Sequence, residues 1–280
     1  MAILGPEGTF SEEAFEQYYG AFPLPLRYEN EIAAVFERVV EDPETEGLVP
    51  LWNSQAGSIP ATVRMLIKTS VSIVGETVLP VRHCLLGIEG TRLEDLELVI
   101  SQPAAFLQCE RFLRGMLSNA RKEIVDSTSI AAATVLAEGR RAVAIAPLRA
   151  AKVYGLTPLV EGIEDCDDNC TTFIHIANRA VIPAEAGKTS IVFSLKEEPG
   201  ALYHALGVFA ERAINLTRLE SRPRSPGSSD YMFLADLDGG IGDSRIEEAL
   251  RELAARASFY RLLGSYPVAA APRRAAASKS

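Results

Sequence analysis

Apolar positions recur along the chain with a period that switches between two and about 3.6 residues, so short strands alternate with amphipathic helices. Ala2–Leu4 reads as a strand that runs into the turn Gly5-Pro6-Glu7-Gly8-Thr9-Phe10-Ser11. A helix pattern follows through Ala14, Phe15 and Tyr18, with Ser11 as the expected N-cap and Glu12 and Glu13 in the first turn. Carboxylates suit that end of a helix. Further helices are predicted over Ile32–Val40, Ile59–Lys68, Ala104–Leu117, Ser129–Glu138 and Leu148–Val153. Strands are predicted over Glu46–Pro50, Val71–Leu79, Val81–Glu89, Leu96–Ser101, Lys122–Val125, Ala142–Ala146 and Thr171–Ala177. This alternation predicts an α/β fold, with a mainly parallel sheet covered by helices on both faces. The strand pair over Val71–Glu89 suggests a crossover between two lobes, with a cleft between them. Open α/β sheets bind ligands at the carboxyl ends of their strands, and the Gly-rich turn before the first helix offers backbone N–H groups to an anion.

The pattern breaks over 179–188, which holds Pro183 and Gly187. Beyond it strands are predicted at Thr189–Leu195, Asn215–Arg222, Tyr231–Asp236 and Tyr260–Val268, with helices at Gly200–Arg212 and Ser244–Ala257. That order is βαββαβ, a ferredoxin-like module. The expected organisation is a two-lobed unit over 1–178, a linker over 179–188, a small module over 189–268 and a disordered tail over 269–280.

Composition narrows the classes. The 280 residues are 48% hydrophobic and 23% charged, an ordinary globular balance that excludes disorder for the bulk of the chain. The net charge of −9 argues against a general nucleic-acid or anionic-membrane binder. It leaves an anionic small substrate open, because a local cluster of donors can hold one. The four cysteines, Cys84, Cys109, Cys166 and Cys170, form no CxxC pair, and there are three histidines. No metal site and no cofactor are expected from them. Cys109 reads as a small core residue, His83 as structural, His175 as a core or surface residue, and His204 as facing an effector or an interface. The first residues lack the basic region and apolar run of a signal peptide, and no stretch reaches the ~18 apolar residues of a membrane span, so a cytoplasmic protein is expected.

Several motifs in order resemble the prephenate dehydratase family. They are Gly5-Pro6-Glu7-Gly8-Thr9-Phe10-Ser11; Val49-Pro50 with Asn53-Ser54, Gly57 and Thr62; Ser101, Pro103, Gln108 and Cys109; Ser127-Thr128-Ser129-Ile130-Ala131; and Asn169, Thr171 and Phe173. The resemblance implies a two-lobed, periplasmic-binding-protein-like catalytic domain. It implies prephenate as substrate, Thr171 as candidate proton donor, and Thr9, Ser11, Asn53, Ser54, Gly57, Ser101, Thr128 and Phe173 as substrate-binding residues. The C-terminal module resembles that family's ACT domain. Gly200-Ala201-Leu202 and Glu220-Ser221-Arg222-Pro223 match motifs that bind phenylalanine there, which implies phenylalanine or a related amino acid as effector and a homodimer or homotetramer.

Five positions depart from the family pattern: Trp52 in place of Glu, Gln102 of His, Ala104 of Gln, Thr172 of Arg, and Arg64 of an acidic residue. Expelling hydroxide needs a proton donor, and Thr172 cannot grip a carboxylate as Arg does. Placed at the cleft, Trp52, Thr172 and Gln102 favour a non-aromatising prephenate decarboxylase that keeps the ring hydroxyl, with Arg64 as a substitute carboxylate anchor. The alternative is a prephenate dehydratase forming phenylpyruvate, and a third reading is a non-catalytic amino-acid sensor.

Overall fold

The computed structural model describes residues 1–20, 25–179, 185–223 and 231–269. Its strands are β1 (Ala2–Leu4), β2 (Arg27–Glu29), β3 (Gly47–Asn53), β4 (Gly57–Ser58), β5 (Ser72–Pro80), β6 (Cys84–Gly87), β7 (Leu98–Ser101), β8 (Arg121–Ile124), β9 (Ala142–Ala146), β10 (Thr157–Glu161), β11 (Cys170–Ala177), β12 (Lys188–Ser194), β13 (Leu216–Pro223), β14 (Tyr231–Asp238) and β15 (Phe259–Tyr266). Its helices are α1 (Phe10–Tyr19), α2 (Ile32–Glu41), α3 (Pro60–Lys68), α4 (Pro103–Gln108), α5 (Glu110–Met116), α6 (Thr128–Glu138), α7 (Leu148–Tyr154), α8 (Ala201–Ala210) and α9 (Ser244–Arg256).

The strands build three sheets, ordered β2-β1-β3-β11-β5 with β4 beside β3, β10-β6-β9-β7-β8, and β13-β14-β12-β15. The expected mainly parallel sheet is corrected here. β1 runs parallel to β2 and β3, and β7 parallel to β8 and β9, but β11 is antiparallel to both its neighbours and β6 to both of its own. The cause is the chain path. β6 and β11 are the strands that enter each sheet after crossing from the other, and they arrive against the grain. The two crossings lie side by side, tied by Val81 N–H to the Asn169 carbonyl at 2.8 Å and Ile163 N–H to the His83 carbonyl at 3.1 Å.

Period-two alternation assigns each strand's faces. In β9, Val143 and Ile145 join the core with Phe106 and Leu113, and Ala142, Ala144 and Ala146 join the opposite core with Ala131 and Val135. In the first sheet, Ile3, Leu48 and Phe173 meet Ala14 and Phe15 on one face, while Ala2, Val49, Leu51, Ile174 and Ile176 face the other way. That other face packs against α2 and α3 and also against Val192, Leu234, Leu263 and Tyr266 of the third sheet. Gly264 is where β15 lies closest to β5: a Cβ there would collide with the Ile73 carbonyl oxygen. The far face of the third sheet carries α8 and α9 over Ile191, Phe193, Ala235 and Leu237.

Three local departures matter. The N-cap of α1 is Thr9, whose carbonyl accepts from Glu12 and Glu13 N–H, and the expected cap Ser11 is buried as the second residue of the helix. The predicted helix Ala104–Leu117 breaks at Cys109 (φ −119°, ψ 22°), because Asp165 N–H takes the Gln108 carbonyl at 2.6 Å and the Asp165 carboxylate accepts from Arg111 N–H at 3.0 Å. β2, β4 and β10 are short edge strands without a clear apolar alternation. The predicted linker includes 180–184 and the predicted tail 270–280, both outside the described residues.

Candidate active site

A cavity of about 610 Å³ opens between the first two sheets. Thr9, Phe10 and Ser11 reach it from the start of α1, and Ser127, Thr128 and Ile130 from the start of α6. Gln102, Ala104 and Gln108 come from α4 and its entry, Asn53, Thr171 and Phe173 from β3 and β11, and Val81 and His83 from the first crossing. Among the described residues no Lys or Arg lines it, and the titratable side chains there are His83 and Asp126. The attraction for an anion therefore comes from the positive ends of α1 and α6 and from hydroxyl and carboxamide donors.

Asn53 is the hub of the polar wall. It is buried, and its Oδ1 accepts the backbone N–H groups of Gln55 (3.0 Å) and Ala56 (2.9 Å), which fixes the carboxamide. Its Nδ2 then reaches Asn169 Oδ1 at 2.8 Å and Thr171 Oγ1 at 3.0 Å. Because the Thr171 oxygen accepts that bond, its own O–H is left to donate, and it lies at the cavity.

The expected site residues separate into two groups. Thr9, Ser11, Asn53, Gln102, Thr128, Thr171 and Phe173 line the cavity together. Ser54, Gly57, Ser101, Trp52, Thr172 and Arg64 do not. Ser54 ties strand ends together, with its Oγ accepting Cys170 N–H at 3.0 Å. Ser101 is fully buried and donates to the Ile145 carbonyl at 2.7 Å. Gly57 opens β4 at φ +78°.

Trp52 and Thr172 correct the expectation most. They are direct partners in the β3–β11 register, and Thr171 beside them pairs with Asn53. Adjacent residues of a strand point to opposite faces, so the pair that contains Thr171 and Asn53 faces the cleft and the Trp52–Thr172 pair faces away. A β-bulge at Leu51 follows, placing both Leu51 and Trp52 against the core shared with the third sheet. The two departures thus form one cross-strand exchange behind the active face. Arg64 is exposed on α3 and lines no part of the cavity, so it is no carboxylate anchor.

Sequence reasoning missed His83 and Gln108 as a pair. Its strand position suggests a structural His83, yet the residue is 1% exposed, lines the cavity, and places Nε2 2.8 Å from Gln108 Oε1. The available signal was position: a polar residue at a strand-to-strand crossing sits where two lobes meet.

In the third sheet a second cavity, of about 450 Å³, is lined by Leu195, Pro199, Ala201, Leu202, Tyr231 and Phe233 among others. Gly200 caps α8 at φ +82°, a conformation that favours glycine. Glu220, Ser221, Arg222 and Pro223 do not line this cavity as described. Instead Glu220 accepts from Ser58 Oγ, and Arg222 donates to the Ser58 carbonyl at 3.1 Å and to Glu220 at 2.6 Å. Burial pushes the Glu220 carboxyl up, but the Ser58 and Arg222 hydrogen bonds outweigh it and hold the carboxyl below its ordinary value.

Comparison with known proteins fits this geometry. Residues 1–181 match the family model described as prephenate dehydratase, and residues 189–255 match that of the ACT domain. The chain belongs to the prephenate dehydratase family. An arogenate dehydratase/prephenate dehydratase of Arabidopsis thaliana is 41% identical over 96% of this chain and 72% of its own length. A bifunctional chorismate mutase/prephenate dehydratase of Aquifex aeolicus is 39% identical over 96% of this chain and 74% of its own. A solved prephenate dehydratase from Arthrobacter aurescens, in complex with L-Phe, superposes with a TM-score of 0.87 at 34% identity, covering 95% of this chain and 89% of that one. Among the described residues no helix is long and apolar enough to cross a membrane.

Proposed function

We propose that the chain is an aromatising dehydratase acting on prephenate or its amino analogue arogenate, with the interlobe cavity as its active site. The observation that carries this reading is the Asn53–Thr171 bond of 3.0 Å at the cavity wall. Asn53 supplies a hydrogen to the Thr171 oxygen, and Thr171 gives its own O–H to the ring oxygen as that oxygen departs. Hydroxide is a poor leaving group, so a donor placed there lowers the barrier. Phe10, Ile32, Pro50, Val81 and Phe173 are apolar residues of the wall. A carboxylate held against it gains no cationic partner, and release as CO2 relieves its desolvation. The substrate's other carboxylate meets the starts of α1 and α6.

The decarboxylase reading rests on Trp52, Thr172 and Gln102, with Arg64 as substitute anchor, and of these Trp52, Thr172 and Arg64 lie away from the cavity. Gln102 and Ala104 do line it, but neither removes the Thr171 donor. The same family support carries the C-terminal module as an effector domain. An amino acid such as phenylalanine fits the cavity beside Gly200, whose wall combines Leu195, Leu202 and Phe233 with the charged Lys196, Glu197 and Glu198, as the L-Phe complex of the Arthrobacter relative suggests. A cytoplasmic homodimer or homotetramer is the assembly this reading implies.

Parallel assays with prephenate and arogenate test the proposal. Formation of phenylpyruvate from the first or phenylalanine from the second supports it, and the ratio of the two kcat/KM values names the preferred substrate. Turnover of neither contradicts it.

A further inference from the structure

His83 stands one residue before β6, at the first crossing between the lobes. Its backbone is held on both sides: the N–H donates to the Glu164 carboxylate at 2.8 Å, and the carbonyl accepts from Ile163 N–H at 3.1 Å. The ring meets Phe10 edge to face with centroids 5.5 Å apart. Its Nε2 lies 2.8 Å from Gln108 Oε1, and its Nδ1 is buried with no hydrogen-bond partner among the described residues. A carboxamide oxygen only accepts, so Nε2 carries the proton and Nδ1 is bare. Gln108 closes α4 at the break that Asp165 imposes, so both side chains of the pair are anchored by segments of the interlobe crossings.

The charged group that acts on the ring is Glu164, which pairs with Arg82 at 2.7 Å, and Arg82 in turn pairs with Asp167 at 3.3 Å. Asp126 is the other titratable residue that lines the cavity. Burial pushes the imidazole below its ordinary value, against opposing effects of Gln108 and Glu164, so the ring is neutral at pH 7.

We propose that His83 is a positioning residue of this site: its Nε2–H holds the Gln108 oxygen, which turns the Gln108 NH2 into the cavity as a donor to an anionic oxygen of the substrate. In a cavity whose described lining holds no Lys or Arg, each fixed neutral donor counts. The inference rests on the dehydratase reading for its substrate but not for its geometry, so the test has two arms.

The first arm is kinetic. His83→Phe loses about 10- to 100-fold in kcat/KM, the scale of a misplaced contact. His83→Gln, whose carboxamide nitrogen can take the Nε2 place, keeps most of the activity. The double variant His83→Phe/Gln108→Leu is no worse than Gln108→Leu alone, because the two residues act through one contact. Additive losses, or a His83→Gln as impaired as His83→Phe, overturn the proposal. The second arm needs no turnover. With three histidines in the chain, ¹⁵N NMR of the imidazoles can be assigned by comparing wild type with His83→Gln. A neutral Nε2–H tautomer at pH 7.5, with its resonance shifted in Gln108→Leu, is expected. A charged ring or an Nδ1–H tautomer overturns it. A wild type that converts neither prephenate nor arogenate fails the functional reading, while the tautomer still decides the placement of the ring.

Discussion

Thr171 and Asn53 carry the chemistry proposed for this cleft, and one hydrogen bond of 3.0 Å joins them. Removing the hydroxyl in Thr171→Val should lower kcat by about 10²- to 10⁴-fold, while Thr171→Ser should retain much of the rate, as steady-state kinetics can show. Arg64→Ala should leave KM unchanged, since Arg64 is exposed and away from the cavity. Trp52→Glu with Thr172→Arg should change stability or effector response rather than the identity of the product, because the pair faces the core shared with the third sheet. Thr9, Asn53, Thr128 and Thr171 were legible in the sequence as motif residues. Trp52 and Thr172 were misplaced although the period of two already set them opposite their neighbours Asn53 and Thr171. His83 was passed over because its partner, Gln108, lies 25 positions away and is aimed by a helix break that sequence periodicity does not show.

At the scale of elements, the alternation of strands and helices was legible but strand direction was not. Direction depends on where the chain crosses between sheets, and no local pattern encodes that. The helix over 103–116 broke for a similar reason, since the competing donor, Asp165, comes from the return crossing. Contacts between elements also set the acid and ionic limits of the fold. Arg149 at the start of α7 donates to the buried Glu12 of α1 at 2.6 Å and pairs with Glu16 at 2.7 Å, which joins the two lobes beside the cavity. Arg149→Ala leaves the buried Glu12 carboxylate without a cationic partner, held by the Gly8 N–H and the Tyr28 hydroxyl, and should cost about 3 kcal/mol in urea unfolding. Glu46 accepts from His175 at 2.7 Å and from Arg179, and the His175 bond chiefly holds its carboxyl below the ordinary value. Its stabilisation is thus complete above about pH 4.3, the value of a free Glu, and is lost as pH falls through the lower folded value. Unfolding free energies of wild type and Glu46→Gln should therefore converge on acidification below about pH 4.

Over the whole molecule, the third sheet is packed on the back of the sheet whose front holds Asn53 and Thr171. Ser58 bridges the two: it pairs with Trp52 in β3 and bonds Glu220 and Arg222 of β13. The sequence motif at 220–223 announced an effector site, and the structure turns Glu220 and Arg222 towards the catalytic sheet instead. That packing could not be read from the chain, because it joins residues 162 positions apart. The most direct test of the account is the product formed by wild-type enzyme from prephenate, followed by NMR near neutral pH. Phenylpyruvate as the main product, with aromatic ring protons replacing the diene signals, is the predicted result. A dihydro-4-hydroxyphenylpyruvate that retains its ring hydroxyl would contradict it.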